Sequence, residues 1–200
     1  MEGLLTIDTH LFLAINGWHS GQWDPVMWWC SGKLTWWPFY LLLLLFLGWK
    51  KGWQLLPLLL FMMVLVALTD QTSVHLFKNV FQRPRPCHEP ALKEMVHLVN
   101  GRCGGLYGFI SSHAANTAGV AMLVCMWLRR AWLAGVLAAW VFLVGYSRIY
   151  LGVHYPGDVL GGWLWGMACG WLVYGLFRMA MKKLPSSWWI ADKNNGPFSA

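Results

Sequence analysis

A histidine followed four residues later by an aspartate is the feature of this sequence with the clearest chemical potential. His154 lies two residues before Pro156, a residue type favoured at the first position of a helix, so Asp158 falls in the first helical turn. This spacing lets the Asp158 carboxylate bind one ring nitrogen of His154 and leave the other nitrogen free for nucleophilic attack. Arg148 lies upstream in the same segment, and its guanidinium indicates an anionic substrate.

A second group of residues combines three cations with two prolines. Lys78, Arg83 and Arg85 lie at the end of an apolar segment, and Pro84 and Pro86 flank the second arginine. Contact of these cations with lipid headgroups is one interpretation. The prolines favour another, because they fix the backbone around Arg85, and a rigidly held guanidinium is suited to bidentate contact with a phosphate.

A third group, Ser111, Ser112 and His113, directly precedes another apolar segment. A serine at the start of a helix caps free backbone amides, and the same end of a helix attracts anions. Two interpretations follow: an ordinary helix cap beside an interfacial histidine, or part of an anion-binding site.

The composition shows what kind of protein must position these groups. Hydrophobic residues make up 58% of the 200-residue chain and charged residues only 12%, whereas a soluble domain usually contains about 25% charged residues. A soluble globular domain and a disordered chain are therefore excluded. The formal net charge is +7, but the basic residues are sparse and lie between long apolar runs, so no nucleic-acid partner is expected.

The apolar runs predict an all-α fold, a polytopic bundle of transmembrane helices. Five spans are expected, and they cover residues 34–49, 53–77, 114–128, 131–146 and 156–181. The whole chain, 1–200, is interpreted as one membrane-embedded domain. Its predicted parts are amphipathic interfacial helices at 1–33, a transmembrane core at 34–181 with an outer loop at 79–110, and a cytoplasmic tail at 182–200.

Three basic pairs predict the orientation of the chain. They fall on the same side of a five-span protein, and they are Lys50-Lys51, Arg129-Arg130 and Lys182-Lys183. Because cytoplasmic loops carry an excess of lysine and arginine, that side is predicted to be cytoplasmic. We expect a multi-pass protein of the inner (cytoplasmic) membrane whose three groups of reactive residues face the periplasm or the exterior.

Together the three groups resemble the motifs of the type-2 phosphatidic acid phosphatase superfamily, which also includes the vanadium haloperoxidases. The matching residues are Lys78, Arg85 and Pro86 in the first motif, Ser111 and His113 in the second, and Ser147, Arg148, His154 and Asp158 in the third. Two positions depart from the family pattern, since Ile110 and Ser112 stand where the family has proline and glycine. A serine has less backbone freedom than a glycine, although its hydroxyl adds a hydrogen-bond donor.

The resemblance implies a metal-independent phosphatase that uses no cofactor and works in two steps. His154 would attack phosphorus to form a phosphohistidine, Asp158 would hold the histidine tautomer, and His113 would protonate the leaving oxygen and then activate water. The phosphate would be bound by the remaining motif residues, namely Lys78, Arg85, Arg148 and the amides around Ser111 and Ser112. Such a site neutralises charge and positions groups, which is what phosphoryl transfer requires.

Four further residues are candidates for supporting roles. Asp70 shares a helix face with Lys78 and is expected to pair with an arginine or a neighbouring helix. Arg83 is expected to contact either substrate or a lipid headgroup. Cys87 and Cys103 both fall in the predicted outer loop, where they are either free or joined in a disulfide that would hold the loop over the site.

The predicted partners are membrane lipids and a lipid phosphate substrate, because a site at helix ends in the bilayer suits an amphiphile. Undecaprenyl diphosphate and phosphatidylglycerol phosphate are the favoured substrates by analogy, with lipid A and phosphatidic acid as alternatives. A non-catalytic phospholipid-binding or transport protein is the alternative of another class, although binding alone does not need the His154–Asp158 pair. A haloperoxidase is disfavoured by the five spans. The sequence carries no signal for an oligomeric state.

Overall fold

The computed structural model of the protein describes residues 2–183, and over that range its regular structure is helical. The longer helices are α1 Glu2–Gly17, α2 Trp23–Ser31, α3 Trp37–Lys51, α4 Leu55–Thr72, α6 Ser112–Leu128, α7 Ala131–Tyr150 and α8 Pro156–Lys182. A π-helical turn, Ser73–Lys78, extends α4 into the short α5, Asn79–Phe81. The all-α prediction is confirmed. Most of the predicted tail, residues 184–200, lies outside the described residues.

Three segments of the described chain are long and apolar enough to cross a membrane. They are Trp37–Phe81 with a mean hydropathy of 2.0, Ala131–Tyr150 with 1.5 and Pro156–Lys182 with 1.3. The first contains both α3 and α4, which fold back on each other after Gly52, a glycine with a left-handed φ of +52°. Helix α6 has 17 residues, which gives a length of about 26 Å at 1.5 Å per residue.

Two predicted boundaries are wrong. The first apolar helix begins at Trp37, three residues later than expected, because Pro38 occupies the first helical turn and residues 34–36 form a turn before it. Helix α7 continues to Tyr150, four residues beyond the predicted end of the fourth span, so Ser147 and Arg148 lie within the helix. The turn comes after them, where Gly152 adopts a φ of +75°.

Helices α6 and α8 pack together through small residues at four-residue intervals. Gly162, Gly166 and Gly170 of α8 face α6, and a Cβ atom at Gly166 would lie 2.1 Å from the carbonyl oxygen of Ala115. Such small-residue contacts let helix backbones approach closely. The close approach brings the first turn of α6, which contains His113, next to the first turn of α8, which contains Asp158.

The N-terminal segment packs against the rest of the protein at the same end of the bundle. Phe12 of α1 is fully buried, and its ring meets that of Tyr155 with centroids 5.4 Å apart. Asn16 donates hydrogen bonds to the carbonyls of Tyr150 at 2.7 Å and His97 at 3.0 Å. Helix α1 is therefore joined both to the end of α7 and to the long loop before α6.

That loop is held at two points. Cys87 and Cys103 are joined in a disulfide with a Cα–Cα distance of 5.9 Å. The two ends of the loop pair in antiparallel fashion, since the Arg85 amide donates to Leu106 and the Gly108 amide donates to Arg83. The pairing fixes the backbone on both sides of Arg85.

Candidate active site

His154 and Asp158 form a buried pair in the turn between α7 and α8. Nδ1 of His154 lies 3.3 Å from Oδ2 of Asp158, and the two side chains are 2% and 0% exposed. Pro156 starts α8, and Asp158 in its first turn accepts the amide hydrogen of Tyr155 at 3.1 Å. Burial, and then the positive charges nearby, hold the pKa of His154 well below its ordinary value. The ring is thus neutral, with Nε2 as the nitrogen left for attack.

Arg83 holds the outer side of Asp158. Its Nη1 lies 3.1 Å from Oδ1 of Asp158, its Nη2 lies 2.8 Å from Oδ2 of Asp8 in α1, and its guanidinium stacks 3.9 Å above the Tyr155 ring. Asp8 also accepts the amide hydrogen of Gly157 at 2.7 Å. Both ends of the Arg83 guanidinium are thus paired with carboxylates, and its contact with substrate or a lipid headgroup stays a prediction.

Gly108 leaves the space that this arrangement requires. A Cβ atom there would lie 2.8 Å from Oδ2 of Asp158, 3.2 Å from Cγ of Arg85 and 3.6 Å from Nδ1 of His154. Contacts below 3.0 Å force atoms to move in a close-packed interior. The absence of a side chain at Gly108 is therefore part of how the His154–Asp158 pair is held.

Two of the predicted phosphate-binding cations are fixed by hydrogen bonds. Lys78 donates from Nζ to Oγ of Ser112 at 2.8 Å, so the residue that replaces the family glycine holds the lysine. Arg85 donates to the carbonyls of Tyr107 and Cys103, each at 3.3 Å. Burial lowers the pKa of Arg85, but a guanidinium stays protonated.

Arg148 reaches the same space from α7. Its Nη1 donates to Oγ of Ser31 at the end of α2. Its Nε is buried and has no hydrogen-bond partner among the described residues. A buried, unpaired guanidinium N–H is costly, and a phosphate oxygen in the adjoining cavity would satisfy it.

The two serines of the second motif have different positions. Ser111 is fully buried behind the cavity wall, where its Oγ accepts the amide hydrogen of Ala114 at 3.5 Å and its own amide donates to the carbonyl of Asp158. The structure therefore shows the helix-capping role for Ser111, and its contact with phosphate stays a prediction. Ser112 and His113 do face the cavity.

One cavity of about 610 Å³ connects these groups. Its outer end contains polar and charged residues of the three motifs, namely Lys78, Arg85, Ser112, His113, Arg148 and His154. From there it continues between α3, α4, α6 and α7 along an apolar wall formed by Tyr40, Leu43, Leu44, Met62, Val66, Val120, Trp140 and Val144. The shape accommodates an anion at one end and an apolar chain along the other.

Two further charged residues line this cavity. Asp70 lies there on the face it shares with Val74 and Lys78, as the helical spacing predicts, but it makes no ion pair within the described residues. Lys33, in the turn after α2, also lines the cavity. Within residues 2–183, Lys33 forms no ion pair.

Several residues that shape the site were missed from sequence. Asp8, Ser31 and Lys33 precede the first motif by long stretches of chain and carry no motif of their own. Gly108 could have been suspected, because it lies in a glycine-rich loop directly before the second motif. For the others only the packing of α1 and α2 on the bundle supplies the information.

Comparisons with known proteins agree with this geometry. Residues 54–182 match the family model of the PAP2 superfamily. A lipid A 4'-phosphatase of Bacteroides thetaiotaomicron is 37% identical over 98% of this chain and 88% of its own length. A lipid A 4'-phosphatase of Porphyromonas gingivalis is 34% identical over 92% of this chain and 78% of its own length.

A solved structure has the same fold. The PAP2-type phosphatidylglycerolphosphate phosphatase of Bacillus subtilis superposes with a TM-score of 0.67, covering 92% of this chain and 90% of that one at 24% sequence identity. The helix arrangement described above is therefore that of a membrane PAP2 protein.

Proposed function

Since the chain belongs to the PAP2 superfamily and is a membrane phosphatase, we propose that it removes a phosphate from lipid A, at the 4' position. The observation that carries this proposal is a cavity in which three cations and two histidines lie at one end and an apolar groove at the other. A lipid phosphate needs both parts, whereas a small soluble phosphate needs only the first. Two relatives that match 98% and 92% of this chain are both lipid A 4'-phosphatases, which favours lipid A over the undecaprenyl diphosphate and phosphatidylglycerol phosphate expected from sequence.

The proposed reaction starts with attack by Nε2 of His154 on phosphorus. Asp158 binds Nδ1 and stabilises the positive charge that develops on the ring. As the P–O bond to the lipid breaks, His113 gives a proton to the leaving oxygen. His113 then takes a proton from water, the water oxygen attacks the phosphohistidine, and inorganic phosphate leaves with His154 restored.

Charge stabilisation in this proposal comes from Lys78, Arg85 and Arg148. Each reaches the cavity from a different element, so the three cations surround the place where the equatorial oxygens of the phosphoryl group would lie. Ser112 positions the lysine through its 2.8 Å hydrogen bond. Because these cations can neutralise the phosphate, we expect hydrolysis without a divalent metal.

We further propose that the chain crosses the inner membrane five times. The hairpin of α3 and α4 would contribute two spans, and α6, α7 and α8 one each. In this orientation the basic pairs after α3 and α6 face the cytoplasm. The cavity mouth, the disulfide and helix α1 then lie on the periplasmic side, where a lipid of the outer leaflet can enter.

The decisive experiment measures inorganic phosphate released from a panel of lipid phosphates by the purified protein in detergent with EDTA. The panel contains lipid A, undecaprenyl diphosphate, phosphatidylglycerol phosphate and phosphatidic acid, and mass spectrometry locates the phosphate lost from lipid A. We expect the highest kcat/KM on lipid A, with loss of the 4'-phosphate. A higher kcat/KM on another lipid would overturn the assignment of lipid A as the substrate. No release from any lipid, with vanadate unbound, would favour a non-catalytic phospholipid-binding or transport protein.

A further inference from the structure

A second polar region of the cavity wall lies deeper than the phosphate-binding cations. Asp70 of α4 and Asn116 of α6 both line it, on facing helices, in a wall that is otherwise mainly apolar at that depth. Lys78 places its Nζ 2.8 Å from Oγ of Ser112, and Asn116 lies four residues further along α6, which is roughly 6 Å along the helix axis. A lipid whose phosphate is bound by Lys78 would therefore extend past this pair.

The Asp70 carboxylate is not used by the protein itself. Within residues 2–183 no donor lies within hydrogen-bond or ion-pair distance of it, and Lys78 acts on it only through longer-range charge attraction. An ionisable residue in a membrane-spanning segment is costly unless it faces a partner or a polar cavity. Its position on the cavity wall indicates that the partner belongs to the ligand.

Asn116 is oriented by a neighbouring hydroxyl. Oγ1 of Thr69 donates to Oδ1 of Asn116 at 2.6 Å, a distance typical of an O–H···O bond. The bond holds the amide and leaves its two Nδ2 hydrogens without a protein acceptor among the described residues. The cavity wall thus presents a hydrogen-bond acceptor, Asp70, and a hydrogen-bond donor, Asn116, on two facing helices.

We propose that Asp70 and Asn116 form a headgroup subsite that binds a hydroxyl or secondary amide of the lipid close to the phosphate that is removed. These are the groups that donate one hydrogen bond and accept another, so they match a cavity wall that offers both a carboxylate and an amide N–H. The subsite selects lipids that carry such groups near the phosphate over polyprenyl phosphates, which carry none. It rests on the proposed lipid phosphatase function, and it identifies the substrate class more narrowly.

The test compares two phosphate monoesters in the full-length protein. Ceramide 1-phosphate carries an amide and a hydroxyl next to its phosphate, whereas undecaprenyl monophosphate has neither. The variants are Asp70→Asn and Asn116→Leu, and the matched control is Val74→Ala, an apolar residue on the same cavity face between Asp70 and Lys78. Gel filtration and thermal unfolding in detergent verify that each variant is folded.

We expect the ratio of kcat/KM for ceramide 1-phosphate to that for undecaprenyl monophosphate to fall about tenfold or more in Asp70→Asn, the effect of losing a hydrogen bond to a charged group. A smaller fall of about threefold is expected for Asn116→Leu, and no change in the ratio for Val74→Ala. An equal loss on both lipids would mean that Asp70 acts only through Lys78, and would overturn the subsite while leaving the phosphatase function intact. If Asp70→Asn fails to fold, Asp70→Glu replaces it. The longer side chain moves the carboxylate, so an unchanged ratio of the two kcat/KM values in this variant would also overturn the subsite.

The failure of the proposed function has a different signature. If the wild-type protein releases no phosphate from either lipid or from lipid A, the phosphatase proposal is overturned and the subsite with it. If the wild-type protein hydrolyses both lipids at the same kcat/KM and neither variant changes the ratio, only the subsite is overturned.

Discussion

Two helix pairs of the bundle are built from opposite kinds of side chain. Helices α6 and α8 meet through glycine and alanine, so close that Gly166 has no room for a Cβ atom. Helices α3 and α4 instead line the cavity with large apolar side chains such as Leu44 and Met62, and several of their leucines are exposed at the surface, Leu42 by 66%. Close packing fixes the reacting groups to one geometry, whereas long side chains can adapt to a lipid chain.

The largest effect is expected from removal of the nucleophile, His154, which lies in the close-packed half of the molecule. In His154→Ala no ring nitrogen remains to form the phosphohistidine, so we expect kcat on lipid A to fall by about 10⁴-fold or more. The helices should remain assembled, since the α6–α8 contact does not involve this side chain. Phosphate release and gel filtration measure the two expectations.

The control is His10→Ala, which removes an exposed histidine of α1 and should keep wild-type activity. Wild-type turnover in a purified, folded His154→Ala protein would contradict the assigned nucleophile.

A single added methyl group tests the packing of α6 on α8. In Gly166→Ala the new Cβ would lie 2.1 Å from the Ala115 carbonyl oxygen, so the helices must move apart. We expect a loss of about 1–3 kcal/mol in stability and roughly 100-fold in kcat, because the shift separates His113 from His154. Thermal unfolding and phosphate release in detergent measure both effects.

Gly175→Ala makes the same change on the same helix, where nothing lies within 4 Å. It should raise the stability of α8 slightly, because alanine has the higher helix propensity. If both variants behave alike, the close approach at Gly166 does not position the site.

A smaller fall in activity is expected from a change in the hydrogen-bond network that holds Asp158. In Asp8→Asn, Arg83 loses the carboxylate that lies 2.8 Å from its Nη2, and the guanidinium is free to shift on Asp158. We expect about a tenfold fall in kcat with little change in KM, because Asp8 acts on the orientation of His154 and not on bound lipid. Steady-state kinetics on lipid A separate the two constants.

Thr9→Val is the matched control, since the Thr9 hydroxyl bonds only to the Leu5 carbonyl within α1. A rise in KM at constant kcat for Asp8→Asn would show that Asp8 contributes to lipid binding, and would contradict its positioning role.

How far the sequence predicts this site depends on the distance between the residues concerned. The His154–Asp158 pair is local, so its four-residue spacing on a helix start was sufficient to predict the contact that the structure contains. The helical period alone likewise predicted that Asp70 and Lys78 lie on one helix face, and both line the cavity.

Contacts between distant segments were not predictable in this way. Arg83 looks from sequence like one more cation of the first motif, yet it is paired with Asp8 from a helix near the start of the chain. Ser111 looks like a phosphate ligand, yet its hydroxyl caps α6 and its amide donates to the carbonyl of Asp158 in α8. Helical periodicity shows which residues of a helix share a face, but not which other helix that face contacts. Single residues such as Ser31 carry no periodic signal.

The smallest effect is expected in the leucine-rich half, where one large side chain would shorten the groove. In Met62→Trp the indole would occupy the apolar end of the cavity, so long acyl chains would lose space while short ones would not. We expect kcat/KM to fall about threefold to tenfold for a phosphatidic acid with sixteen-carbon chains, an effect of roughly 1 kcal/mol in lost apolar burial, and to stay unchanged for one with six-carbon chains. Met63→Trp places the same indole on the neighbouring residue, which is 63% exposed on the outer surface of α4, and should leave both lipids unaffected. An equal fall for long and short chains in Met62→Trp would mean that the lipid chain does not follow this groove, and the contrast between an adaptable and a close-packed half would then lose its functional meaning.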